Sequence, residues 1–265
     1  MCAMPARLNM RSNLSLLKGC IDLIKLKNLS VSLVLSAALS AAAIWPISPS
    51  VQAAPAKEWL QISDTTTYYG EVSGGKPNGR GTMKWGDSKQ YSGEFVNGQR
   101  EGKGKYINEY AADGESHKVV YNGEWKLDRM NGTGTLTHKV IQEDGAVRSN
   151  EIQTGAFGGG VQTSGYDVIH ALADPDFYFA YKSPQEQLVI MGSADHLKAS
   201  LKSGSLFSAE YRSGTIHKSY SVFPADTAAE QRINEASLKY LQNIQPKLNP
   251  HLEQFERLAG QVPLK

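Results

Sequence analysis

The sequence predicts a mainly β protein, with antiparallel β-hairpins stacked into one repeat sheet, then a small α+β unit ending in helices. Three observations predict it. A glycine-rich frame recurs three times between Tyr68 and Leu136, with tyrosine, glutamate and glycine at fixed spacings. Glycine becomes sparse beyond Gly165. Apolar residues then recur at three- and four-residue steps from Ile233 to Leu258, the period of a helix with one buried face.

The first segment, residues 1–53, is expected to be a cleaved export signal rather than part of the fold. Arg7, Arg11, Lys18, Lys25 and Lys27 make a basic start, and Leu29 to Trp45 is an apolar run of 17 residues. Val51-Gln52-Ala53 then places small residues where a signal peptidase cuts, after Ala53. The alternative is an uncleaved N-terminal anchor, against which the run is short, since a spanning helix needs about 20 residues. Cleavage would change the charge balance. Residues 1–53 hold five of the 28 Lys/Arg and one of the 26 Asp/Glu, which leaves 23 basic and 25 acidic residues. The apparent basicity thus belongs to the signal, and no basic stripe points to nucleic acid. Both cysteines, Cys2 and Cys20, leave with it, and with them any disulfide, thiol nucleophile or thiolate metal site.

Residues 54–67 are a linker or a first edge strand. The repeats occupy 68–160. Counted from Tyr68, Tyr91 and Tyr121, glycine falls at +2 (Gly70, Gly93, Gly123), at +11 (Gly79, Gly102, Gly132) and at +13 (Gly81, Gly104, Gly134). Glutamate stands at +3 (Glu71, Glu94, Glu124), and a large apolar residue at +4 (Val72, Phe95, Trp125). A worn fourth copy begins at Gln153, with Gly155, Phe157 and Gly160, but lacks the tyrosine and the second glycine pair. This pattern resembles the MORN repeat. The resemblance implies a non-catalytic platform associated with protein assembly, dimerisation or membrane attachment.

Alternation along a strand explains the frame. Positions +0, +2 and +4 share one face, as do +11, +13 and +15, so one face carries rings and bare glycine backbone together. Glycine weakens a strand unless something covers it, and a ring from a neighbouring strand lying over the gap does so. Gly74-Gly75 and Asn97-Gly98 suit tight hairpin turns. The opposite face is polar, with Glu71, Glu94 and Glu124 set against Arg80, Lys84, Lys103 and Lys105, which is expected to form cross-strand pairs. The spacing from Tyr91 to Tyr121 is 30 residues against 23 from Tyr68 to Tyr91, so the excess near Asp113-Gly114 lengthens hairpins on one edge.

Residues 165–265 are expected to be an α+β unit. Asp176–Ser183 and Gln187–Ser193 read as strands, Ala194–Lys202 as a short helix, and Ser205–Phe223 as a hairpin turning at Ser213-Gly214. Two helices follow, from about Thr227 to Gln245 and from Pro250 to Leu258, with Asn249 as the N-cap of the second.

The chemistry is sparse. Ser73-Gly74-Gly75-Lys76 matches a Ser-x-x-Lys nucleophile motif, but it lies in a glycine turn and not at a helix start. The six histidines are scattered without ligand spacing. No catalytic residue, metal or cofactor is therefore expected. The candidate contacts are the rings Tyr68, Tyr91, Phe95, Tyr121 and Trp125, if the face that bears them is open; the competing reading is that they fill the glycine gaps. The expected partners are an envelope protein or a second copy, with membrane lipid as an alternative and no nucleic acid. A further alternative is an envelope hydrolase or wall-modifying enzyme with its site in 165–223. The expected location is secreted or periplasmic.

Overall fold

The computed structural model describes residues 56–265. The expected export signal, the expected cut after Ala53, Cys2 and Cys20 lie outside the described residues. The described chain is one antiparallel meander of thirteen strands in sequence order. The strands are β1 (Lys57–Ser63), β2 (Thr66–Ser73), β3 (Lys76–Trp85), β4 (Lys89–Val96), β5 (Gln99–Ala112), β6 (Glu115–Lys126) and β7 (Arg129–Ile141). They continue as β8 (Val147–Gly158), β9 (Val161–Ala171), β10 (Phe177–Lys182), β11 (Glu186–Gly192), β12 (Ser208–Ser213) and β13 (Ile216–Ser221). Helix α1 (Leu197–Ser203) lies between β11 and β12, and α2 (Ala228–Asn243) and α3 (Gln245–Ala259) close the chain.

Each repeat is a hairpin, and the turn chemistry accounts for it. Gly74 and Gly75 have φ of 57° and 72°, Asn97 and Gly98 51° and 87°, Asp113 and Gly114 54° and 77°. Paired positive φ angles twist a two-residue turn the way flanking strands twist. The extra residues after the second copy do not form a loop; they extend β5 to 14 residues and β6 to 12. In each repeat the +2 and +13 glycines pair directly: Gly70 with Gly81, Gly93 with Gly104, Gly123 with Gly134. Gly155 pairs with Gly165 in the same way, so the worn copy has its second glycine after all, shifted in count.

Gly165 therefore does not separate two sheets. It sits inside β9, which pairs with β8 on one side and β10 on the other. What changes near it is the covered face. Register carries Tyr68 through Met83, Tyr91, Tyr106 and Tyr121 to Leu136, Gln153 and Asp167 on one face. Tyr69, Thr82, Ser92, Lys105, Asn122, Thr135, Thr154, Tyr166 and Tyr181 follow on the other. The first face, the front, buries Tyr68, Tyr91, Phe95, Tyr121, Trp125 and Phe157 among the repeats. The second, the back, buries Val168, Phe179, Leu188, Ile190 and Tyr211 under the helices, which supply Leu201, Leu241, Leu252 and Phe255. Two small cores on opposite faces share one sheet.

The helix boundaries need one correction. Helix α2 starts as expected at the Thr227 cap, with a reciprocal Thr227–Glu230 capping box. Helix α3 starts at Gln245, not at Pro250, and contains Pro250. Pro246 takes the first turn, where no N–H is needed. Pro250 forfeits one later bond, but Leu248, Leu252 and Phe255 are buried in one stripe and hold the helix through it.

Candidate functional site

The front of the repeats is built from glycine gaps and rings. In each copy the tyrosine folds over its own hairpin, so that a Cβ added to Gly81, Gly104 or Gly134 would overlap the ring of Tyr68, Tyr91 or Tyr121. The phenol oxygen then donates to the +3 carbonyl, from Tyr68 to Glu71 at 2.7 Å, from Tyr91 to Glu94 at 3.1 Å and from Tyr121 to Glu124 at 3.0 Å. Burial pushes the Tyr68 phenol up to about 12, with the Glu71 charge adding to the shift.

The +4 ring joins one copy to the next. Phe95 packs edge-on against Tyr68 at 5.1 Å and Tyr91 at 5.0 Å. Trp125 does the same to Tyr91 at 5.2 Å and Tyr121 at 5.3 Å, and Phe157 meets Tyr121 at 5.1 Å. Edge-to-face pairs gain about 0.5–1.5 kcal/mol each beyond the area they bury. Phe157 ends the ladder, because the fourth copy has Gln153 where a tyrosine would receive another ring.

The five rings expected as contacts, Tyr68, Tyr91, Phe95, Tyr121 and Trp125, are all at most 5% exposed. They are the core of the repeats. The surface above them belongs to partly buried Trp85, Tyr106, Met130 and Leu136. Arg100 lies over that surface, 4.3 Å from the Trp125 ring and 5.6 Å from Tyr106. Asp128 holds it, accepting at 3.0 Å from both the Arg100 Nε and its backbone N–H. No local pattern marks Arg100, whose role depends on a turn 28 residues away.

The glutamates also differ from expectation. Arg80 stands opposite Glu94, and Lys103 opposite Glu124, yet neither pair closes into a salt bridge among the described residues. The three carboxylates turn along the strand instead, onto the +11 glycines Gly79, Gly102 and Gly132, whose φ values are 100°, 60° and 92°. Glu124 accepts there from the Thr133 N–H at 3.2 Å. The expected cross-strand pairs are thus replaced by packing of each carboxylate over a bulge, since the positive-φ glycine leaves room for it. A mixed-charge groove of about 490 Å³ lies beside them, lined by Glu94, Glu101, Lys103, Glu124 and Lys126.

Two further polar clusters were not singled out by sequence. On the front, His117 and His138 are in contact at 3.0 Å, His138 stands 3.8 Å from Glu151, and Gln153 donates to Glu151 at 2.6 Å and to Asp167 at 3.3 Å. Burial and then the neighbouring Glu151 push the Asp167 carboxyl up to about 7. On the back, Glu186 accepts from Lys247 and from the Tyr211 hydroxyl, and lies 3.3 Å from His251, whose other nitrogen meets Tyr166 at 2.9 Å. That cluster clamps α3 to the sheet. Among the described residues no three ligating side chains converge on a metal position. No helix among them is long and apolar enough to cross a membrane.

Comparison with known proteins agrees with the geometry of the hairpins. The MORN repeat family matches at residues 68–90, 91–108 and 121–139, so the chain carries three MORN repeats. It is 45% identical over 73 residues, 27% of this chain, to Alsin of mouse, human and rat. That match spans 4% of the length of those relatives. MORN repeats mediate protein or lipid interactions and are generally non-catalytic.

Proposed function

With three MORN repeats as the premise, we propose that the protein is an exported, non-enzymatic scaffold whose repeat sheet binds an envelope protein or a second copy of itself. The observation that carries this reading is the asymmetry of the two sheet edges. At β13 the edge is capped at its last residue, packed against α2: Asn234 of α2 accepts from the Ser221 N–H and donates to the Ser221 carbonyl, both at 2.8 Å. Among the described residues β1 pairs on one side only, with β2. A seven-residue strand paired on one side only, among the described residues, is a template for another strand. A lipid would have to meet the tyrosine face, whose rings are buried in the ladder.

A single cysteine at Gln61, introduced into a chain with Cys2 and Cys20 removed, tests the edge. Oxidative or photochemical crosslinking in the cell should give either a homodimer or one defined heteromeric product, and Leu60→Pro should abolish it. Crosslinks that persist in Leu60→Pro, or none at all, would count against the edge. Export is tested separately. N-terminal sequencing of the protein from the cell envelope should begin at Ala54; a retained N-terminal segment would sink that part.

A further inference from the structure

Among the described residues no helix covers the back face of the repeats, which is unlike the front in chemistry. At its free margin Trp59 is 73% exposed and Tyr69 41%, with ring centroids 4.8 Å apart and planes tilted by 33°. They are direct cross-strand partners, Trp59 on β1 and Tyr69 on β2. Neither ring belongs to the ladder, because their side chains point away from it. The same row continues across the sheet as Thr82, Ser92 and Lys105, one residue per strand. Strands lie about 4.8 Å apart, so this row offers one polar group at each such step. Thr82 and Ser92 hydrogen-bond each other at 2.9 Å, and Gln90 donates to Ser92 at 3.2 Å, which orients the hydroxyls along the surface.

Charge is distributed in bands on this face. The row nearer the glycine bulges alternates Glu71, Arg80, Glu94, Lys103 and Glu124, and is close to neutral overall. The row of Trp59 and Tyr69, and the next row away from the bulges, contain Lys105 and Lys84 and no carboxylate up to β7. Both lysines are exposed, and neither is in an ion pair among the described residues. An exposed aromatic pair, a ladder of oriented hydroxyls and two cations without an ion pair among the described residues therefore share one track on this face of the sheet.

We propose that this track binds an acidic polysaccharide. The apolar faces of the sugar rings would stack on Trp59 and Tyr69, ring hydroxyls would meet Thr82 and Ser92, and carboxylates would meet Lys84 and Lys105. Each part matches one feature of that ligand class and no single feature suffices. A neutral glycan leaves the lysines unused, and an anionic membrane leaves the hydroxyl ladder unused. Charge complementarity selects the acidic polymer. The site uses the face opposite the aromatic ladder, so it does not depend on strand addition at β1.

Affinity gel electrophoresis of the purified protein with polygalacturonate in the gel is the test. Cellulose ether serves as the neutral polymer and phosphatidylglycerol vesicles as the membrane probe. Retardation by polygalacturonate is expected, and it should weaken as salt is raised. Trp59→Ala should weaken binding by about tenfold or more, the factor expected when a stacking contact near 1.4 kcal/mol is lost. Lys84→Ala with Lys105→Ala should flatten the salt dependence. All three side chains are exposed, so the variants should melt with the parent. No retardation, binding unchanged in Trp59→Ala, equal retardation by the neutral polymer, or binding to the vesicles alone would each overturn the proposal.

Discussion

Gly104 is spaced in the sequence like any other repeat glycine, but its neighbourhood makes it the least replaceable kind. It lies beneath the Tyr91 ring and opposite Gly93, and a Cβ there would strike ring atoms that cannot move, because Tyr91 is itself wedged between Phe95 and Trp125. Gly104→Ala should therefore cost about 1–3 kcal/mol, the usual range for overpacking. Gly98→Asn, in a turn where a Cβ meets nothing, should be nearly neutral. Urea titrations of the two variants check the contrast. Asp167 carries a different kind of prediction. Burial and the adjacent Glu151 push its carboxyl up to about 7 in the folded protein, against the ordinary 3.8. Its folded form thus holds a proton that the unfolded chain gives up. The stability it contributes is present below about pH 4 and is lost as pH rises through 7. Asp167→Asn should raise the melting temperature at pH 8 and leave it almost unchanged at pH 4. An equal rise at both values would show that the effect is not protonation.

At the scale of the element, the repeats are coupled by what reaches across hairpins rather than by the hairpins themselves. The turn between β6 and β7 uses Leu127 and Asp128 at φ 48° and 65°, where glycine would be the ordinary choice. The second copy holds that turn: Asp128 grips Arg100, and Glu101 accepts from the Leu127 N–H at 3.0 Å. Removing Arg100 should loosen the turn and uncover Trp125 together. Arg100→Ala should cost about 1–2 kcal/mol, through the cation–π contact and the packed stem as much as through charge. It should also red-shift tryptophan emission before any unfolding. Fluorescence spectra at low and rising denaturant separate the two effects. Helix α3 obeys the same logic. Its buried stripe and the Glu186–Lys247–His251 clamp outweigh the bond lost at Pro250, which is why a proline that looks like a boundary lies inside a helix.

For the whole molecule, one sheet with two cores makes each half depend on the other for an edge. The repeats supply β8 for β9 to pair with, and the helices cover only the later strands. A chain ended after Phe223 would expose Phe179, Leu188, Ile190 and Tyr211 at once. It should aggregate or lose structure from β10 onward, while the Tyr68–Phe157 ladder persists. Limited proteolysis should then give a resistant fragment starting near β1 and ending near β9. Uniform digestion of the truncated chain would show instead that the two cores fold as one.

The sequence by itself determined the hairpin and its repetition. Tyrosine, glycine and turn residues act over a few positions, and period-two alternation states which of them share a face. It also carried the strands of the second half and the start of α2, where pattern and cap coincide. Only the tertiary structure decided what those faces meet. The rings of Tyr91 and Trp125 read as a core that fills the glycine gaps or, if the face is open, as a binding row, and packing between copies buries them. Gly165 looked like a boundary because composition changes there, yet backbone hydrogen bonding runs through it regardless of composition. The Arg100–Asp128 grip and the exposed Trp59–Tyr69 pair had no local signal, because each depends on strands brought side by side, and pairing distance is set by the fold rather than by spacing along the chain.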